Sequence, residues 1–70
     1  MIYDTLTDKE KEVLDWVVYG ISNEEIARLM FISYGWIAAL VNRLYEKYKI
    51  EEKPYRVKLV LRRLKEIGKI

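Results

Sequence analysis

The chain has 70 residues, of which 51% are hydrophobic, and its formal net charge is +2. This length supports one domain with one small core, and the apolar content argues against disorder. Because the chain has neither cysteine nor histidine, disulfides and zinc-finger sites are excluded, and packing alone must hold the core together.

The first predicted helix spans residues 7–19. Thr7 and Glu10 have the spacing of a capping box, in which each side chain bonds the other residue's backbone N–H. Gly20 stands where the end of a helix favours left-handed backbone. The apolar side chains of this helix that recur at helical spacing, and that we expect in the core, are Val13, Leu14, Val17 and Val18.

Two further helices, over residues 22–30 and 33–48, are predicted from a repeated start signal. Ser22 and Ser33 suit the N-cap position, and Glu25 is placed to complete a capping box with Ser22. Apolar pairs with the spacing of a hydrophobic staple flank both caps, namely Ile21 with Ile26 and Ile32 with Ile37. Two closely spaced helices of this kind indicate a helix-turn-helix, in which the second helix projects from a small domain.

The expected core of this pair follows from helical spacing. In the second helix the residues expected to be buried are Ile26, Ala27, Leu29 and Met30. In the third helix they are Ile37, Val41, Leu44 and Tyr48.

The fourth predicted helix spans residues 54–67. Pro54 suits its first turn, where a missing N–H costs nothing, and Gly68 ends it. The residues expected to face inward here are Val57, Val60, Leu61, Leu64 and Ile67. Because the sequence contains neither strand alternation nor repeats, residues 1–70 are predicted to form a single all-α domain of four helices.

No apolar run approaches the ~20 residues of a membrane span, and no signal-peptide pattern opens the chain. We therefore expect a cytoplasmic location.

Charge is unevenly distributed along the chain. Residues 1–52 carry six Lys/Arg and ten Asp/Glu, a net of −4, whereas residues 53–70 carry seven Lys/Arg and one Glu, a net of +6. This asymmetry favours an anionic partner at the C-terminal end. The alternative interpretation is a solvated helix face without a partner.

The segment LTDKEKEVLDWVVYGISNEEIARLMFIS, residues 6–33, resembles the start of the LuxR/GerE-type helix-turn-helix domain. The family pattern, written loosely, is LTxREXEVLxLxAxGxSNKEIAxxLxIS, and the match is ungapped. The resemblance stays detectable as far as Ile50, and the length matches that of the smallest, free-standing members. It implies a four-helix fold, bacterial-style control of transcription, and dimerisation through the last helix. Departures lie in the third helix, where Ala38 replaces a frequent lysine, Leu40 a frequent histidine, and Glu46 a common basic residue.

The third helix is therefore the predicted recognition helix for double-stranded DNA. With its core stripe inward, the residues expected to face outward are Gly35, Ala39, Asn42, Arg43 and Glu46. Asn42 can pair bidentately with adenine, and Arg43 can bind guanine or a phosphate. Ala38 and Ala39 can contact thymine methyl groups. Further phosphate contacts are expected from Lys47, Arg28, Arg56 and Lys58.

Two other interpretations of the third helix stay open. In one, Trp36, Ala39 and Leu40 form an apolar protein-binding surface, since aromatic residues at a patch with few charges suit an interface core. A regulatory protein or a component of the transcription machinery is then the candidate partner. In the other, Ala38, Ala39 and Leu40 reflect helix propensity and packing alone. Binding driven by phosphate weakens steeply with salt, which separates DNA from an apolar partner.

A homodimer is expected through the fourth helix. If its inner stripe serves the core, the opposite face carries Tyr55 and Leu59 beside Arg62 and Glu66. A two-fold interface uses each residue twice, so this small set suffices for a weak symmetric contact, with Arg62 meeting Glu66 of the second protomer. The alternative is a singly exposed leucine, which needs no partner.

A catalytic function is not expected. The chain lacks histidine, cysteine and a glycine-rich phosphate loop, and so short a chain has little capacity for a deep cleft. The carboxylates are interpreted as helix caps and solvated faces, and no cofactor or metal site is predicted.

Overall fold

The computed structural model describes residues 1–70 and contains helices and no strands. A 3₁₀ turn at Ile2–Thr5 leads into α1 (Asp8–Tyr19), and α2 (Asn23–Met30), α3 (Tyr34–Lys47) and α4 (Tyr55–Glu66) follow. The all-α, four-helix prediction is confirmed. None of the helices combines the length and apolar character that a membrane span requires.

Side-chain caps begin the first three helices at the predicted residues. The Thr7 hydroxyl accepts from the Glu10 N–H at 3.2 Å, while the Glu10 carboxylate accepts from the Thr7 N–H at 2.8 Å. Ser22 and Ser33 each accept the N–H three residues on, at 3.3 and 3.1 Å. These caps satisfy backbone donors that have no partner inside the helix. Each helix therefore starts one residue after its cap.

The second predicted capping box is only half formed. The Glu25 N–H bonds Ser22, but the Glu25 carboxylate pairs with the Arg28 guanidinium one turn further along α2. An ion pair three residues apart on a helix surface replaces the bond back to the cap. At the other end of α1, Gly20 has φ +99° and closes the helix in the left-handed conformation, as predicted.

The core surrounds α3, which packs against α1, α2 and α4. Its thirteen buried apolar residues are Leu6, Val13, Leu14, Val17, Ile26, Ala27, Ile37, Leu40, Val41, Leu44, Tyr48, Ile50 and Leu59. The predicted α3 stripe is buried throughout. Leu40, expected at the exposed edge of the helix, is buried as well, because a helix that packs against three others buries a wider arc than one stripe. In α2 the prediction failed in the opposite direction, because Leu29 was expected in the core and is exposed.

The predicted inner face of α4 was wrong for Val57, Leu61 and Ile67, which are exposed, whereas Val60 packs against the core as predicted. Val57 and Leu61 are 53% and 46% exposed, whereas Leu59 is completely buried. Two polar residues on the same side of α4 as Leu59 find partners within the chain. Arg62 donates to the Tyr48 carbonyl oxygen at 2.7 Å, and Glu66 accepts from the Tyr48 hydroxyl at 2.7 Å. With these bonds the half-buried Glu66 costs little to bury, whereas Arg62 remains exposed to solvent.

Candidate nucleic-acid interface

The turn between α2 and α3 is three residues long. Phe31 closes α2 with a left-handed backbone, φ 56° and ψ 43°, and the Ile32 N–H bonds the Ala27 carbonyl at 3.0 Å. A phenylalanine in this conformation carries a cost of about 1–2 kcal/mol. Its side chain is 96% exposed. No sequence pattern predicted this strain, because Phe31 stands between two capping patterns that are satisfied without it.

The outward face of α3 is small, polar and almost neutral. Gly35, Ala39, Asn42, Arg43 and Glu46 are not buried, in line with the prediction for this face, and Ala38 is half-buried at one edge. A Cβ placed on Gly35 would meet open space. Glu46 forms no ion pair, and the half-exposed Trp36 lies at the other edge beneath the Lys9 ammonium group, 5.7 Å from its ring centroid. This face therefore allows close approach of a partner but attracts an anion weakly.

Two predicted DNA-binding cations of α3 lie beside a carboxylate of α1. The Lys47 ammonium is 2.8 Å from Glu10 Oε1, and Arg43 Nε is 3.9 Å from Glu10 Oε2. Glu10 is completely buried. Burial raises the pKa of its carboxyl group, but the hydrogen bonds from Lys47 and Thr7 outweigh burial and hold the pKa below its usual value. Glu10 is therefore ionised at neutral pH and offsets one of the two cations.

The other predicted phosphate-binding residues also have partners within the chain. Arg56 donates to the Asn23 side chain at 2.7 Å and to the Ile21 carbonyl, and so ties α4 to the start of α2. Arg28 pairs with Glu25, and Lys58 lies 3.5 Å from Glu52. Exposed pairs such as the last two contribute little and exchange readily. Arg28 and Lys58 thus remain available to a phosphate, whereas Arg56 has a structural role.

The predicted dimer residues all contact their own chain, although Tyr55 and Arg62 remain exposed. Leu59 is in the core, and the Tyr55 ring stacks on Tyr45 with centroids 5.5 Å apart. Arg62 and Glu66 hydrogen-bond Tyr48. Leu59 therefore has no surface to offer a second protomer, and the expected intermolecular pair of Arg62 with Glu66 is replaced by bonds within one protomer.

Comparison with known proteins places the chain among bacterial regulators. Residues 4–61 match the family described as "Bacterial regulatory proteins, luxR family". The chain is 35% identical over 51 residues to the "Probable transcriptional regulator ycf29" of Guillardia theta, a match that covers 73% of the chain and 24% of that protein. It is 30% identical over 59 residues to the "Uncharacterized transcriptional regulatory protein YxjL" of Bacillus subtilis (strain 168), which covers 84% of the chain and 27% of that protein.

A third relative is the "Transcriptional regulatory protein TdiR" of Thauera aromatica, 46% identical over 43 residues, 61% of the chain and 19% of that protein. The chain thus spans between a fifth and about a quarter of the length of these relatives. No solved structure matches the chain.

Proposed function

The chain belongs to the luxR family of bacterial regulatory proteins, and from that premise we propose that it regulates transcription by binding double-stranded DNA. In this proposal α3 enters the major groove, Asn42 pairs with adenine, and Ala38 and Ala39 contact thymine methyl groups. Lys and Arg residues outside the centre of α3 supply the phosphate contacts, with Arg28 and Lys58 exchanging weak carboxylate partners for phosphate.

The observation that carries this proposal is the exposed outward face of α3. Gly35 and Ala39 have little or no side chain, and both are exposed on α3, the helix that follows the turn. Small residues let a helix backbone approach base edges closely, and Asn42 lies one turn from Ala39 on the same face. This geometry suits a groove better than it suits a partner that needs large apolar anchors.

The alternative of a protein-binding surface formed by Trp36, Ala39 and Leu40 is less well supported. Leu40 is buried in the core, so only Trp36 and Ala39 of this set face solvent. The Lys9 ammonium also lies over the Trp36 ring. A single partly covered aromatic side chain makes a small anchor for a protein partner.

We also propose a homodimer through the outer face of α4 in place of the one expected from the sequence. Val57 and Leu61 are exposed and stand one turn apart, and the half-buried Leu64 follows at the next position of the same stripe. A two-fold contact doubles the apolar area that this stripe contributes. Because the area remains small, we expect a weak dimer that DNA with two half-sites helps to assemble.

Selection of bound duplexes from a random-sequence pool tests the proposal. We expect enrichment of sites rich in A·T pairs, and about three phosphate contacts per protomer give a log–log salt slope near −3. A duplex of scrambled sequence serves as the control. Absence of binding to every duplex at low salt would reject DNA binding and favour the protein-binding alternative.

A further inference from the structure

Glu10 is the only charged residue that is fully buried, and one of its two oxygens lacks a hydrogen bond. Oε1 accepts from the Thr7 N–H and from the Lys47 ammonium, both at 2.8 Å. Oε2 accepts no hydrogen bond. Because a buried carboxylate oxygen without a donor is costly, such an atom calls for an explanation beyond capping of α1.

The cation that faces this free oxygen is Arg43. Its Nε lies 3.9 Å from Oε2, within range of an ion pair but beyond that of a hydrogen bond. The Arg43 side chain is 57% exposed, and its remaining nitrogens have no partner in the chain. A movement of about 1 Å would bring Nε within hydrogen-bond distance of Oε2. The pair thus joins a fixed, buried acceptor to a side chain on the DNA-facing helix.

We propose that Glu10 orients Arg43 to pair with a guanine, so that Arg43 determines sequence preference rather than general affinity for DNA. This inference rests on the proposed function. When Oε2 receives Nε, the two terminal nitrogens of the guanidinium stay free and form a planar fork that matches guanine O6 and N7. Thr7 and Lys47 hold Glu10 in place, so the fork is ordered before DNA arrives and loses less entropy on binding.

The charge of the cluster favours a base over a phosphate as the target of Arg43. Glu10 offsets part of the positive charge that Arg43 and Lys47 would otherwise present, and its carboxylate repels a phosphate placed beside it. An arginine partly neutralised in this way adds little to attraction at long range. The geometry of its donors is unaffected, and that geometry is what distinguishes guanine from other bases.

Arg43→Lys is the first test, because it keeps the positive charge and removes the planar fork. The probe is the best duplex from the selection, paired with a copy in which one G·C pair is changed to A·T. We expect the wild type to discriminate about tenfold at that pair. Arg43→Lys should bring the ratio close to one, because its affinity for the best duplex falls more than its affinity for mixed-sequence DNA.

Glu10→Gln is the second test, with Glu12→Gln as the matched control. The introduced amide retains an acceptor for Thr7 and Lys47 but turns an N–H donor toward Arg43, so discrimination at the G·C pair should fall severalfold while affinity for mixed-sequence DNA rises. Glu12 is exposed on α1 and forms no ion pair, so Glu12→Gln makes the same charge change and should leave discrimination intact. Thermal melting followed by circular dichroism sets a temperature at which each variant is folded.

The outcomes separate this inference from the proposed function. If the wild type binds no duplex, both are rejected. If it binds with a sequence preference that Arg43→Lys leaves unchanged, only the role of Arg43 is overturned. If Arg43→Lys abolishes discrimination but folded Glu10→Gln retains it, Arg43 reads the base without help from Glu10, and the positioning role is overturned.

Discussion

At the scale of single residues, Glu10 both caps α1 and binds a lysine of α3. Its Oε1 completes the cap of α1 and holds Lys47 of α3, so one atom fixes the start of one helix and the end of another. The capping box was predictable because its members lie three residues apart. The bond to Lys47 was not, because the two residues are 37 positions apart and only the packing of α1 on α3 brings them together.

The pH dependence of stability should reflect this residue. The pKa of Glu10 is lower in the folded chain than its usual value, so its stabilising effect is complete above the unfolded-state pKa of about 4.3 and is lost as the pH falls through the folded-state value. At pH 7 we expect Glu10→Gln to lower the free energy of unfolding by about 1–3 kcal/mol. Urea unfolding at a series of pH values should show this difference shrinking below about pH 4. A difference that stays constant down to about pH 2 would contradict the assignment.

Asn42 is the residue on which the proposed adenine contact depends. Asn42→Ala should relax the preference at one base pair at a cost of about 1–3 kcal/mol if the contact is bidentate. Lys58→Ala provides the contrast, since loss of a phosphate contact should weaken all duplexes alike and flatten the salt slope by about 1. Repeating the selection with each variant measures both effects. An unchanged selected sequence for Asn42→Ala would exclude this residue from base recognition.

At the scale of helices, the apolar periodicity of α4 predicts the helix but not which of its faces is buried. Its existence and bounds follow from its apolar spacing, Pro54 and Gly68, but it has apolar residues on two opposite sides. The wider stripe was predicted to face inward. The structure buries Leu59 instead, because Tyr48 offers a carbonyl and a hydroxyl to the polar neighbours of that leucine. Hydrogen-bond satisfaction across 14 and 18 positions decides the face, and no local pattern encodes it.

Two leucines on the same helix allow a direct test of this assignment. Leu59→Ala should lower the free energy of unfolding by about 2–5 kcal/mol, because it opens a cavity in the core. Leu61→Ala, two positions along, truncates a residue that is 46% exposed and should cost less, about 1 kcal/mol. Chemical denaturation at low protein concentration, followed by circular dichroism, measures both. Equal losses for the two variants would show that the faces of α4 are assigned incorrectly.

At the scale of the whole molecule, the two ends of the chain meet. The Ile2 N–H bonds Glu66 at 2.8 Å, and the Arg63 guanidinium lies 3.6 Å from the centroid of the Tyr3 ring. These contacts attach the N-terminal turn to the end of α4, which also packs against α1 and α3. The family and the order of helices were predictable because the motif through Ser33 is local. The partners of Arg43, Lys47 and Arg56 were not, since each of these pairs depends on how the helices pack.

The oligomeric state tests the outer face of α4. Leu61→Glu places a charge in the proposed contact and should leave the protein monomeric but folded, whereas the wild type should dimerise at high concentration or on a duplex with two half-sites. Light scattering at increasing concentration, with and without this duplex, distinguishes the two. Lys69→Gln lowers the net charge by the same one unit at a position outside the stripe and is the control. A wild-type protein that stays monomeric under all these conditions would remove the dimer from the proposed function.

The near-neutral outward face of α3 has a consequence for binding kinetics. Electrostatic steering must come mainly from the strongly basic segment 53–70, so the association rate should fall with salt yet be nearly the same for preferred and scrambled duplexes. Preference then resides in the dissociation rate, which depends on how well α3 fits once it has arrived. In stopped-flow measurements the best duplex should dissociate more slowly than a scrambled one, and the association rates of the two should be nearly equal.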